Sequence, residues 1–208
     1  MKNFVILIVV VAVVLGGYFF FSTEDSIQDV GLVDGQISYE SQSLGIGFDY
    51  LDDKFELIED ANKVVLQSAY VVVENPSGIQ GNESKHSFSI GFEVIKDELF
   101  NTMKNQSESA YSIMFPEGVE SGLHEEADFS SYENIANKQG YSYSEGVEGI
   151  NQKHIFLPMD SDETLVITFS YITDFLRDQA TQQSGEYISE KDQKELFQSI
   201  IETLKFTN

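Results

Sequence analysis

Apolar residues follow three patterns along this chain, and each predicts a different element. The first is an uninterrupted run of 18 residues, Phe4 to Phe21. As a helix it would reach about 27 Å, close to the hydrocarbon thickness of a bilayer. The second pattern is alternation. Ile46, Phe48 and Tyr50 alternate with Gly47 and Asp49; Phe88, Ile90, Phe92 and Val94 alternate with Ser87, Ser89, Gly91 and Glu93. Period two predicts strands with one buried and one solvated face. Further strands are expected at Phe55 to Ile58, Lys63 to Glu74, Gly140 to Val147, Lys153 to Leu157 and Thr164 to Ile172. The Val-rich segment before Glu74 ends at Asn75-Pro76-Ser77-Gly78, a turn-forming series. The last two strands flank Pro158 to Glu163 and read as a hairpin. The third pattern is helical spacing. Leu196, Phe197, Ile200, Ile201 and Leu204 make one stripe, with Ser189 as N-cap and Glu190 and Asp192 in the first turn. A shorter helix starts after Asp97, with Leu99, Phe100 and Met103 on one face, and Gln106 to Tyr132 reads as irregular or weakly helical. Strands, helix, strands, terminal helix: this order predicts an α+β fold, an antiparallel sheet flanked by helices.

The flanks of the apolar run set its orientation. Lys2 precedes it, and Ser22, Thr23, Glu24 and Asp25 follow. Positive charge stays on the cytoplasmic side, so the rest of the chain is expected to be extracytoplasmic. The run ends in Tyr18-Phe19-Phe20-Phe21, bulky where a signal peptidase needs small side chains. That favours an uncleaved signal anchor, a single transmembrane helix over residues 1–21; the alternative is a secreted protein whose signal is removed. Residues 22–36 are acidic and aperiodic and read as a flexible linker. Residues 37–208 then form the exported domain.

Charge narrows the partners. With 12 basic against 35 acidic residues the chain carries −23, and Arg177 is its only arginine. Nucleic-acid binding needs cations against phosphate and is excluded on this balance, and docking along an anionic membrane surface is disfavoured. The acidity suits a solvated surface, or the weak binding of divalent cations or of a basic partner. There is no cysteine, which removes thiol catalysis, thiolate metal sites, disulfides and a lipid-modified N-terminal Cys.

Two short motifs resemble a known family. Tyr39-Glu40-Ser41-Gln42-Ser43-Leu44-Gly45-Ile46-Gly47-Phe48-Asp49-Tyr50 is similar to the opening of PsbP-like domains, which enter their first strands through a Gly-x-x-Phe-x-Tyr-Pro turn. Ile200-Ile201-Glu202-Thr203-Leu204-Lys205-Phe206 is similar to the helix-then-Lys-Phe finish of that group. The resemblance spans about Ile37 to Phe206 and implies a central antiparallel sheet with helices on both sides, an α/β/α sandwich. Leu51 stands where the family usually has proline. PsbP proteins are extrinsic subunits that assist an oxygen-evolving complex, but no motif here carries over their cation-interacting residues.

Candidate chemistry is sparse. The chain has no Gly-x-Ser-x-Gly elbow, Ser-x-x-Lys pair, Walker loop or dinucleotide fingerprint. Asp160, Asp162 and Glu163 place oxygen ligands at near-alternate positions, a fragment of a calcium loop without its Gly or downstream bidentate Glu. His124 lies among Glu125, Glu126 and Asp128, without the His-Glu-x-x-His spacing of a zinc helix. These residues are the metal candidates; otherwise no cofactor is expected. Asp49, Asp52 and Asp53 could supply a carboxylate pair for hydrolysis. His86 and His154 are expected at solvated strand ends. Tyr141 and Tyr143 share a strand face that suits a partner surface or a core ring with its hydroxyl at the rim. These observations predict a membrane-anchored, acidic, non-catalytic binding or accessory module for a protein or envelope component, with a carboxylate-dependent hydrolase or a weak calcium-dependent module as alternatives.

Overall fold

β-Branched and aromatic runs form strands where their periodicity predicts them. The computed structural model describes residues 35–74, 83–114, 128–147, 149–159, 162–178, 180–183 and 188–207. The expected membrane anchor, nearly all of the linker, His124 and Asp160 lie outside these. Among the described residues no helix is long and apolar enough to cross a membrane.

The strands are β1 (Gln36–Ser41), β2 (Ile46–Leu51), β3 (Glu56–Asp60), β4 (Lys63–Glu74), β5 (Glu83–Ile95), β6 (Ser130–Ile135), β7 (Lys138–Val147), β8 (Ile150–Pro158), β9 (Thr164–Ile172), β10 (Ala180–Gln183) and β11 (Lys205–Phe206). Helix α1 (Leu99–Met114) follows β5, α2 (Asp174–Asp178) follows β9, and α3 (Glu190–Thr203) precedes β11. All strand pairs are antiparallel. A three-stranded sheet has the order β1-β2-β11. An eight-stranded sheet runs β10-β4-β5-β9-β8-β7-β6, with β3 also paired to β4. The class is therefore α+β, with an antiparallel sheet and few helices.

One face of the large sheet carries the main core. Val64, Leu66, Phe88, Ile90, Phe92, Ile155, Leu157, Leu165, Ile167 and Phe169 are buried there with Ile46 and Phe48 of β2 and Phe197, Ile200 and Ile201 of α3. Phe48 stacks on Phe92 at 4.5 Å, and Phe169 on Phe197 at 4.3 Å, so the small sheet and α3 are both seated on this face. Helix α3 is capped as its sequence predicts: the Asp192 amide donates to Ser189 Oγ at 3.1 Å. Its buried Gln193 clamps β9. Ile172 N–H donates to Gln193 Oε1 (2.9 Å), while Gln193 Nε2 donates to the carbonyls of Ile172 (3.1 Å) and Ile188 (2.8 Å). A buried amide is tolerated because both its ends are satisfied.

The opposite face holds a second cluster: Phe156 and Val166 with Met103 of α1 and Phe129. This face of β5 was expected to be solvated. Instead Ser87, Ser89 and Glu93 are half-buried and Gly91 is buried. Helix α1 also runs to Met114, so residues 106–114 take the helical of the two readings, irregular or weakly helical, that the sequence left open. Five short elements had no periodic signal: β1, β6, β10, β11 and α2.

The two glycines of the opening motif have separate structural roles. Gly45 sits at φ +63°, a left-handed turn conformation that β-carbon-bearing residues resist. Gly47 lies under β11, where a Cβ would come within 2.7 Å of the Lys205 side chain and 3.1 Å of the Tyr39 carbonyl. The Lys-Phe finish is β11 itself, with Lys205 opposite Gly47 and Phe206 opposite Ile46. Lys138 Nζ covers the Phe206 ring at 4.2 Å and donates to the carbonyls of Pro158 and Met159, fastening β7 to the hairpin β8–β9.

Candidate functional site

Two places concentrate polar side chains: the second face of the large sheet, and the outer edge of β4. On the sheet face, the register sets Tyr143 opposite His154 and His154 opposite Thr168. Contrary to the sequence expectation, His154 is not a surface imidazole; it is only 7% exposed. Strand parity explains the correction, because His154 falls on the same face as Phe156, two residues on. That alternation was the signal in the sequence that could have found it.

Both ring nitrogens of His154 have partners. Nε2 lies 3.1 Å from Glu145 Oε1 and Nδ1 lies 3.4 Å from Thr168 Oγ1. A carboxylate only accepts, so Nε2 carries the hydrogen and Nδ1 accepts from the threonine hydroxyl. The Tyr143 ring stacks on the imidazole at 4.7 Å and on Phe156 at 5.8 Å. Burial pushes the imidazole below its ordinary pKa, against the opposing hydrogen bond and charge of Glu145. Burial also raises the Tyr143 phenol, with Glu145 adding to it, and its buried hydroxyl has no partner among the described residues. Hydroxyl, imidazole and carboxylate in this order can hold and move a proton. His86 is half-buried as well, and burial lowers its pKa.

The β4 edge differs in kind. β3 pairs with β4 over Lys63 to Gln67, and β10 pairs with it over Val71 to Val73. Ser68 and Ala69 lie between, in register with neither strand among the described residues, and Tyr70 pairs with Ser87 of β5. A bulge against β5 falls in the same place, between Gln67 and Tyr70. A cleft of about 550 Å³ opens there, lined by Gln67, Ser68 and Tyr70 from β4, by Asp52, Asp53 and Lys54 from the β2–β3 connection and by Glu56 at the start of β3. Asp53 is paired to Lys54 at 3.5 Å, whereas Asp52 and Glu56 have no cationic partner among the described residues. Lys85 sits 4.6 Å from the centre of the Tyr70 ring, so this aromatic face already accepts a cation.

The structure distributes the sequence candidates unevenly. Asp52 and Asp53 line the cleft, but Asp49 is held in the small sheet, accepting from Ser38 Oγ at 2.6 Å. Asp162 is exposed on the β8–β9 turn; Glu163 is half-buried beside it, its carbonyl accepting from the Met159 amide at 3.0 Å. Among the described residues no group of three His, Asp or Glu side chains is placed to hold a metal ion. Tyr141 and Tyr143 pack against the second cluster. Sequence reasoning missed the contributions of Gln67 and Tyr70, because a bulge leaves no periodic mark.

No family model matches the chain, and no curated protein does. A crystal structure from Bacteroides thetaiotaomicron is similar at a TM-score of 0.39 and 10% identity; the match covers 82% of this chain and 48% of that one, about half its length.

Proposed function

We propose that this chain is a membrane-anchored, extracytoplasmic binding or accessory module with a PsbP-like α/β/α sandwich, and that the cleft beside β4 receives a basic segment of a protein partner. The carrying observation is the cleft itself. Gln67, Ser68 and Tyr70 of β4 form its wall where the pairing of β4 passes from β3 to β10, and the carboxylates of Asp52 and Glu56, without cationic partners among the described residues, line it as well. A polar wall beside these carboxylates suits a Lys- or Arg-bearing peptide, and the −23 charge of the chain draws cations toward it. The PsbP-like part of the reading is supported by the roles of Gly45, Gly47 and the Lys205–Phe206 strand, and by α1 and α3 packing on opposite sheet faces. The anchor rests on the apolar run Phe4 to Phe21.

The test is cross-linking and recovery from membranes with the full chain, beside an Asp52→Asn/Glu56→Gln variant, each with and without calcium. A partner held by the wild type and lost by the variant supports the reading. Equal recovery by both removes the cleft from it. A second reading has one observation in its favour: Asp52, Asp53 and Glu56 share a cleft, as a carboxylate-dependent hydrolase requires. Turnover of a glycoside or ester panel that Asp53→Asn abolishes would establish that alternative.

A further inference from the structure

We propose that the Glu145–His154–Thr168 chain is a proton-responsive latch, in which protonation of His154 loosens the packing of α1 on the second face of the sheet. The chain crosses β7, β8 and β9, with Thr168 directly opposite His154 and Glu145 on the diagonal, opposite Gln152, so one imidazole joins three strands. Neutral His154 satisfies it completely, with Nε2–H donating to Glu145 and Nδ1 accepting from Thr168. A proton arriving from solvent must bond to Nδ1. Thr168 then has to turn its hydroxyl from donor to acceptor and give up the bond it made, while a cation appears at a site only 7% exposed.

Few groups can offset that charge. From β7 the imidazole meets the Glu145 carboxylate and the Tyr143 phenol, and from β9 it meets uncharged Thr168. Beyond Thr168, the stem of Lys63 lies beside Gly91 and its ammonium pairs with Glu93 at 3.8 Å. Helix α1 packs Met103, Leu99 and Phe100 into the neighbouring apolar cluster, and its buried polar residues Thr102 and Ser107 are uncharged. The route to α1 is a stack of rings. His154 lies on Tyr143, Tyr143 on Phe156, and Phe156 packs with Met103 and Phe129. Anything that shifts the imidazole shifts the rings on which the helix rests.

Hydrogen exchange of the full-length protein between pH 7.5 and 5.5, corrected for intrinsic rates, tests this above the range where most carboxylates titrate. Opening of α1 should increase as pH falls below about 6.5, by up to about tenfold per pH unit, the limit for one linked proton. His154→Gln should flatten that dependence, and His86→Gln should leave it intact. Should His154→Gln fail to fold, Thr168→Val and the NMR titration of the wild-type imidazole keep the test decisive. An imidazole titrating at its ordinary value, or an unchanged pH response in either the His154 or the Thr168 variant, overturns the latch.

Discussion

The two faces of the large sheet are built from the same strands yet stabilised differently. The first is a dry stack of Phe and Ile side chains closed by α3 and the small sheet. The second begins as an apolar cluster under α1 and passes into Tyr143, His154, Glu145 and Thr168. The first face draws its stability from area and shape, which respond to side-chain volume. The second draws part of its stability from hydrogen bonds, which respond to protons. Alternation along β8 places Ile155 and Leu157 on one side and His154 and Phe156 on the other, so a single strand serves both.

The first face is most sensitive at Phe197. Removing its ring from the stack on Phe169 should cost about 3–5 kcal/mol in urea unfolding, because the sheet and helix cannot close fully over the void. Gln193→Leu comes next, at about 3 kcal/mol, since the Ile172 amide and carbonyl lose their partner in a buried place. A loss below about 1 kcal/mol would show that α3 is held by its apolar stripe alone.

On the second face the expected dependence is on pH. The folded-state pKa of His154 is lowered, so the unfolded chain binds more protons just below its own pKa of about 6.5. The stability contributed by neutral His154 is therefore complete above that pH and is lost as pH falls toward the folded-state value. Urea midpoints should decline across that window in the wild type and less so in His154→Gln, with His86 adding a smaller effect of the same sign. Ser189→Ala should cost about 1 kcal/mol by removing the cap from α3, without altering the pH dependence. The smallest stability effect belongs to Asp52→Asn/Glu56→Gln. These exposed cleft residues should leave stability within about 0.5 kcal/mol while abolishing retention of the basic partner.

Much of this architecture is legible in the order of residues. Period two marks β2 and β5, runs of strand-forming residues mark β4, β7, β8 and β9, and the Ser189 cap with its apolar stripe marks α3, because long elements with a buried side carry a local apolar signature. The short edge strands β1, β6 and β10 read as polar sequence, Gln-Ile-Ser-Tyr-Glu-Ser in the case of β1. They exist because a neighbouring strand offers unpaired amides and carbonyls, a condition that only the assembled sheet creates. Helix α1 continues past Gln106 to Met114, where the sequence offers only a weak helical pattern.

The candidate sites divide in the same way. The apolar run, the −23 charge, the absence of thiol chemistry, the main strands and the capped terminal helix are all local properties of spacing and composition, legible before folding. The folded arrangement alone buries His154 between Glu145 and Thr168, brings Gln193 to Ile172, and sets Asp52 and Glu56 in one cleft with the bulged stretch of β4. Each of those joins residues far apart in the chain, and their meeting depends on strand register and a bulge, which are set by the pairing of whole strands and not by any one of them.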